Sequence, residues 1–202
     1  FRTVEEMVGK VELLKTKIPN SAKRSKHIIE NMLYMVELNS VNVRVCKKIF
    51  NMIDGKANPN IVKHDFLTFK GFKGIDKFDV IMGNPPYNSG GIKSKNTKKV
   101  VKNQQGFKTI WPIFVDKSIG LLNDNKYLLF INPATWIGLK SSNSKMFLNN
   151  QILILRFYDI REAPKLFGNL SAEIPLTYYL LQKSKTNKNT LIFDKCLDKF
   201  VS

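Results

Sequence analysis

Apolar positions along this chain switch between a helical and a strand rhythm. Over residues 3–18, TVEEMVGKVELLKTKI, Val4, Met7, Val8, Val11, Leu14 and Ile18 fall at helical spacing with charged residues between them. The spacing predicts a helix there, ended by Pro19, Asn20 and Ser21, because proline cannot continue a helix and the polar pair favours a turn. HIIENMLYMVELN then carries a continuous apolar run from Met32 to Val36 that stops at Glu37, the pattern of a buried parallel strand. From about Ser40 the helical rhythm returns, with Val41, Val45, Cys46, Ile49, Phe50 and Ile53 on one predicted face.

NPNIVKHDFL reads as a shorter strand ending at Asp65, and FDVIMG as a strand that delivers Asn84. Residues 88–105 are polar, Lys-rich and poor in apolar anchors, so a loop is expected. FKTIWPIFVDKSIGLL restores helical spacing through Phe107, Ile110, Trp111, Phe114, Val115, Ser118 and Leu122, with Pro112 tolerable only in a first turn. KYLLFINP, QILILRFYDI and IPLTYYLLQK read as three more strands.

Alternation of strands and helices argues for an α/β fold with a mostly parallel sheet and helices on both faces. In such sheets ligands bind outside the carboxyl ends of the strands, and Glu37, Asp65 and Asn84 all fall at predicted strand ends. There is no internal repeat, linker composition or second-domain signal, so residues 1–202 read as a single unit.

Composition narrows the partners. The 202 residues are 43% apolar, enough for a real core, and no apolar run approaches the roughly 20 residues of a membrane span. Residues 1–20 lack the apolar centre of a signal peptide, and two cysteines, Cys46 and Cys196, are too few for a disulfide framework, so a soluble, intracellular protein is expected. The 33 Lys and Arg against 16 Asp and Glu give a net charge of +17, which suits a phosphate-rich partner. A genome biased towards Lys and Asn codons is the rival explanation for that excess. His27 and His64 are isolated, and no metal is expected.

The tetrapeptide Asn84-Pro85-Pro86-Tyr87, placed directly after FDVIMG, matches the [DNS]PP[YFW] signature, and its surroundings resemble the adenine-N6 DNA methyltransferases of restriction and modification systems. The resemblance implies a Rossmann-like fold, S-adenosylmethionine as cofactor and DNA as partner. It also makes sense of the residue types. An exocyclic amine conjugated to a base ring is a poor nucleophile; acceptors at the Asn84 side chain and the Pro85 carbonyl would localise its lone pair. Prolines fix φ and bring no competing N–H, while Tyr87 would offer a flat face to a flipped base. A strand-ending turn is the bland alternative for an isolated Pro-Pro.

Further resemblance covers nearly the whole chain. YMVELN looks like the strand whose final acid, here Glu37, binds the cofactor ribose, with Leu38 covering the cofactor adenine. HDFL is similar to the motif in which Asp65 accepts the adenine amino protons and Phe66 packs on its ring. LLFINPATWI resembles the strand supporting the target pocket, and KLFGNLSAEIPLTYYLLQK the motif whose aromatic residue, here Phe167, flanks the flipped base; an ordinary core Phe is its rival reading. Lys93, Lys95, Lys98, Lys99 and Lys102 suit either phosphate contact or a solvated charge run. The Gly-rich loop of the family, DPxCGxG, has no counterpart before Glu37, and no target-recognition region comes after the last strand, so an N-terminally truncated catalytic domain is expected. Methylation of a guanine amino group in ribosomal RNA or of a protein glutamine amide stays open as an alternative, as does a nucleic-acid-binding remnant without turnover.

Overall fold

The computed structural model describes residues 8, 10–89, 108–138, 143–166, 174–185 and 188–202. The chain divides into two compact units, Phe1–Lys70 and Gly71–Ser202.

In the first unit, helix α1 (Glu12–Lys17) is shorter than the periodicity of residues 3–18 predicts. Val11 is extended, with φ −64° and ψ 124°, so the helix starts after it, and no residue of α1 is buried. Asn20 does more than end a helix. Its side chain accepts a hydrogen bond from Lys23 N at 2.9 Å and caps a second one, α2 (Ser21–Asn31), which the periodicity does not reveal. Arg24 fastens the joint by donating to the carbonyls of Ile18 and Pro19.

Strand β1 (Tyr34–Glu37) stops at Glu37 as predicted and pairs in parallel with β2 (Asn60–Lys63), with Glu37 opposite Lys63. Between them runs α3 (Ser40–Ile53), capped by the Asn39 side chain on Val41 N. Its predicted apolar face splits in two. Phe50 is fully buried with Ile29, Met35, Ala57 and Ile61, and Val43, Cys46 and Ile53 pack against that cluster. Val41, Val45 and Ile49 stay exposed, because they lie along a neighbouring stripe of the helix.

The second unit is built on a six-stranded sheet in the order β3-β4-β6-β5-β7-β8. The strands are β3 (Phe78–Gly83), β4 (Leu122–Pro133), β5 (Gln151–Tyr158), β6 (Leu176–Gln182), β7 (Leu191–Asp194) and β8 (Lys199–Val201). The expected mostly parallel sheet is corrected here. β3 and β5 run parallel to β4 and β7 respectively, but β6 enters antiparallel between β4 and β5, and β8 is antiparallel to β7. A strand flanked on both sides, such as LTYYLLQ, carries the same apolar run in either direction, so its sense is not written in its pattern. β7 and β8, at four and three residues, are too short to give a periodic signal.

Helix α4 (Trp111–Leu121) has Pro112 in its first turn, where its missing N–H costs nothing. Its Trp111 and Val115 join Leu128 and Phe130 of β4, Tyr179 and Leu181 of β6, Trp136 of a single 3-10 turn and Phe147 of the short helix α5 (Ser144–Leu148) in one core. These strand residues alternate with Leu129, Ile131, Tyr178 and Leu180, so the core lies on one face of the sheet. Trp136 and Phe147 stack at 3.9 Å between centroids, and Tyr179 meets both edge-on.

Polar groups inside this core are paired. The Tyr179 hydroxyl donates to Asn132 Oδ1 at 2.8 Å, Trp136 Nε1 donates to Thr177 Oγ1 at 3.0 Å, and Thr177 Oγ1 donates to the Asn132 carbonyl at 3.2 Å. Burial pushes the Tyr179 pKa well above its ordinary value, so the hydroxyl remains a donor. Tyr179→Phe takes the donor away from a fully buried Asn132 and is expected to cost about 1–3 kcal/mol in urea unfolding; unchanged stability would show that this bond contributes nothing net.

Candidate functional site

Each unit carries predicted site residues at the carboxyl ends of its strands. In the first, β1 ends on Glu37, whose Oε1 accepts the main-chain N–H of Asn39 at 2.7 Å; this fixes one oxygen of a half-buried carboxylate. His64 N donates to the Glu37 carbonyl at 3.1 Å, so the chain leaving β2 stays joined to the end of β1. Asp65 comes directly after and is exposed. Its Oδ1 accepts Leu67 N at 2.9 Å, and its carbonyl accepts both Thr68 N and Thr68 Oγ1 at 3.2 Å. The two carboxylates thus stand at adjacent strand ends, each aimed by a short backbone bond. Phe66 is half-buried, whereas Leu38 is 67% exposed.

Adjacent parallel strands lie about 4.8 Å apart. Carboxylates at the ends of such neighbouring strands are acceptor-only groups suited to hydroxyl and amino donors, and the donor-rich edges of a nucleoside fit them. Among the described residues no group of three His, Cys, Asp or Glu side chains is placed to hold a metal ion.

In the second unit β3 ends at Gly83, paired with Phe130 of β4, and the next four residues are Asn84 to Tyr87. Asn84 is exposed, and among the described residues no hydrogen bond claims its side chain. Pro85 is buried, Pro86 exposed and Tyr87 half-buried. The Tyr87 ring packs against the core cluster, and its hydroxyl is a buried polar atom without a partner. Burial pushes its pKa up to about 12, so it is neutral at every physiological pH and no general base. With the hydroxyl end inside the core, the ring is held in one place.

Sequence reasoning missed what anchors the motif from its far side. The Tyr87 carbonyl accepts the N–H groups of Ile110 and Trp111 at 3.0 and 3.4 Å, the first donors of α4. Asn88 bridges Thr109 in antiparallel sense. Ser89 N donates to the Lys108 carbonyl at 2.9 Å, and Lys108 N donates to Ser89 Oγ at 3.2 Å. These bonds clasp residues 87–89 onto 108–110, and Trp111, 1% exposed, roots the clasp in the core. The β-branched Thr109-Ile110 ahead of Trp111-Pro112 is the one signal that pointed to a short extended piece there.

Phe167 and Lys93, Lys95, Lys98, Lys99 and Lys102 lie outside the described residues. The helix that leads to Phe167, α6 (Ala163–Leu166), begins with a reciprocal cap: Glu162 N donates to Asp159 Oδ1 at 3.1 Å and Asp159 N donates to Glu162 Oε2 at 3.2 Å. Lys195, from the β7–β8 turn, bonds both carboxylates.

Residues 9–167 match the family described as Eco57I restriction-modification methylase. Among curated relatives, the type II methyltransferase M.TthHB8I of Thermus thermophilus is 35% identical over 75 residues, 32% of this chain and 18% of that protein. An uncharacterized adenine-specific methylase of Mycoplasma pneumoniae is 40% identical over 95 residues, 46% of this chain and 19% of that protein. The chain thus spans about a fifth of the length of these two relatives. The solved M protein of the type I restriction enzyme EcoKI covers 91% of this chain with 40% of its own, at a TM-score of 0.60 and 13% identity; it shares the α/β fold.

The buried, unpartnered Tyr87 hydroxyl makes Tyr87→Phe a mild change, expected to leave stability unaltered or raise it by up to about 1 kcal/mol in chemical denaturation; a loss of more than that would mean the hydroxyl is satisfied in solution. The reciprocal cap on α6 predicts a pH dependence. The Arg161 N–H, then Lys195, holds Asp159 down at about 2, below its ordinary 3.8, and Lys195 holds Glu162 low. Lowered carboxylate pKa values mean that the cap stabilises fully above about pH 4 and is lost as pH falls towards 2. Glu162 in turn raises Lys195, whose contribution is complete below 10.5 and lost above it. Thermal melting of Asp159→Asn against wild type is expected to differ at pH 7 and converge near pH 2; a constant gap across that range would refute the linkage.

Proposed function

The chain belongs to the Eco57I restriction-modification methylase family, and on that premise we propose that the protein transfers a methyl group from S-adenosylmethionine to the N6 amino group of an adenine flipped out of duplex DNA. Restriction-modification relatives and an adenine-specific methylase among them support that substrate. The observation that carries the reading is the state of Asn84: exposed, unclaimed by any described hydrogen bond, and followed by a proline that is buried. An exposed amide with no partner among the described residues, at a strand end and on a backbone held from both sides, suits an acceptor kept for a ligand.

The bound cofactor supplies an electrophilic methyl group. Glu37 would accept from the ribose hydroxyls and Asp65 from the amino group of the cofactor adenine, with Phe66 against its ring and Leu38 over its exposed face. On the target side, Asn84 Oδ1 and the Pro85 carbonyl would accept hydrogen bonds from the two N6–H groups, drawing the nitrogen towards tetrahedral geometry and freeing its lone pair, and one N6 proton would pass to solvent once the methyl group is attached. Pro85 and Pro86 have no N–H to compete for those carbonyls. Tyr87, fixed by the core, would stack on the base, and Phe167 would flank it. In this reading both units serve one methyltransferase catalytic domain.

Asn84→Ala is expected to lower incorporation of labelled methyl groups into DNA by roughly 10²- to 10³-fold, the cost of one positioned polar group, with cofactor binding intact by calorimetry. Glu37→Ala is expected to do the reverse, weakening cofactor binding first. A wild-type rate in the Asn84 variant would overturn the assignment.

A further inference from the structure

Arg156 lies on β5, and its guanidinium is occupied by rings rather than by acceptors. Its central carbon sits 3.9 Å from the Phe193 ring centroid and 4.8 Å from that of Tyr158. Phe193 is braced in turn, edge-on at 5.3 Å, by Phe200. Among the described residues no hydrogen bond or ion pair occupies the five N–H donors of Arg156. The nearby carboxylates do not compete for it. Asp159 and Glu162 are taken by Lys195, which lies 6.0 Å over Phe157, a residue on the opposite face of β5 from Arg156. Arg156 shares its face with Tyr178, its partner on β6, and with Phe193 and Phe200. This is the face that the core does not use.

Strand register ties this arginine to the motif. Gly83 pairs with Phe130, Phe130 with Tyr179, and Tyr179 with Leu155. One step further along each strand stand Asn84 and Arg156, at the same level of the same sheet edge, because β5 runs in the direction of β3 and β4. They are three strand spacings apart, roughly 14 Å. At about 3.4 Å of rise per nucleotide on one strand, that is about four base steps.

We propose that Arg156, held over the rings of Phe193 and Tyr158, is a phosphate-binding residue for the DNA backbone that flanks the target adenine; this rests on the methyltransferase reading above. A guanidinium stacked on aromatic rings keeps its in-plane donors free and pre-aimed, the geometry that engages a phosphate through two bonds. Its neighbours on that face named above are aromatic rather than acidic, and the chain's net charge of +17 favours a polyanion.

The test is a duplex DNA titration by fluorescence anisotropy across a salt series, for wild type, Arg156→Gln and Arg156→Met. Met keeps an apolar stem over Phe193 and so guards against a loosening of the sheet by the polar Gln, and thermal melting verifies folding of both. Each neutral variant is expected to bind about five- to tenfold more weakly at 0.1 M salt, equally for all sequences, with a log–log salt slope shallower by about 1. Methyl transfer at saturating DNA is expected to stay within about twofold. A folded variant with wild-type affinity and slope overturns the role of Arg156 while leaving the methyltransferase reading intact. A wild-type protein that neither binds nor methylates DNA overturns that reading, and this inference with it.

Discussion

A stretch of chain containing two consecutive prolines cannot hold itself by backbone hydrogen bonds, because two of its N–H groups are missing. The shape of Asn84-Pro85-Pro86-Tyr87 must therefore be imposed at its ends. Upstream, the parallel ladder of β3 on β4 runs as far as Gly83 opposite Phe130. Downstream, the Tyr87 carbonyl accepts the first N–H groups of α4, and the Ser89–Lys108 pairing closes the clasp. Both anchors are rooted in one core, since Phe130, Trp111 and Tyr87 all belong to or pack on the same cluster. Rigidity of the core thereby becomes rigidity of the motif, and acceptors can be aimed without a backbone hydrogen bond inside the prolines themselves.

The strand after β3 shows how the same core tolerates polarity. Asn132, Thr177, Trp136 and Tyr179 carry polar atoms into a fully buried layer, and the hydroxyls and the indole N–H each find a partner within the set. A paired network of this kind costs little and specifies one arrangement, because any slip of β6 against β4 would strand several groups at once. The Tyr87 hydroxyl departs from that rule. It is unpaired beside an otherwise satisfied layer, so its presence is explained by the ring it carries and not by the bond it makes.

Much of this was legible in the sequence. The ends of β1 and β3 were readable because a run of β-formers stops at a polar residue, Glu37 in one case and Asn84 in the other. Strand direction was not, since an apolar run such as LTYYLLQ looks the same both ways. The helix at Ser21–Asn31 escaped because Pro19 and Asn20 carry two meanings: a stop for the helix before them and a cap for the helix after. The exposed Val41, Val45 and Ile49 show the limit of periodicity from the other side. Spacing put these three on one face with Cys46, Phe50 and Ile53, but only the latter three, joined by Val43, pack. At the site, residue types were readable and their supports were not. Ser89 and Lys108 are 19 positions apart, and nothing local marks them as partners.

Charge adds a constraint through an inequality. Sixteen acidic residues can pair one to one with no more than sixteen of the 33 basic ones, so about half the cations have no protein anion to meet. Several of the ion pairs among the described residues sit away from the motif's own residues: Lys126 with Asp79, Lys183 with Asp124, and Lys195 with Asp159 and Glu162. These pairs are exposed or partly so, and each contributes little stability of its own. What they do is neutralise four of the sixteen carboxylates. An acid bound to lysine repels an incoming phosphate less, and Arg156 is left facing rings instead of acids. Self-repulsion of the remaining cations disfavours the free protein and is relieved when a polyanion binds. A chain at +17 is electrostatically incomplete alone, which is the physical sense in which its composition and the ring-packed Arg156 both favour an anionic partner.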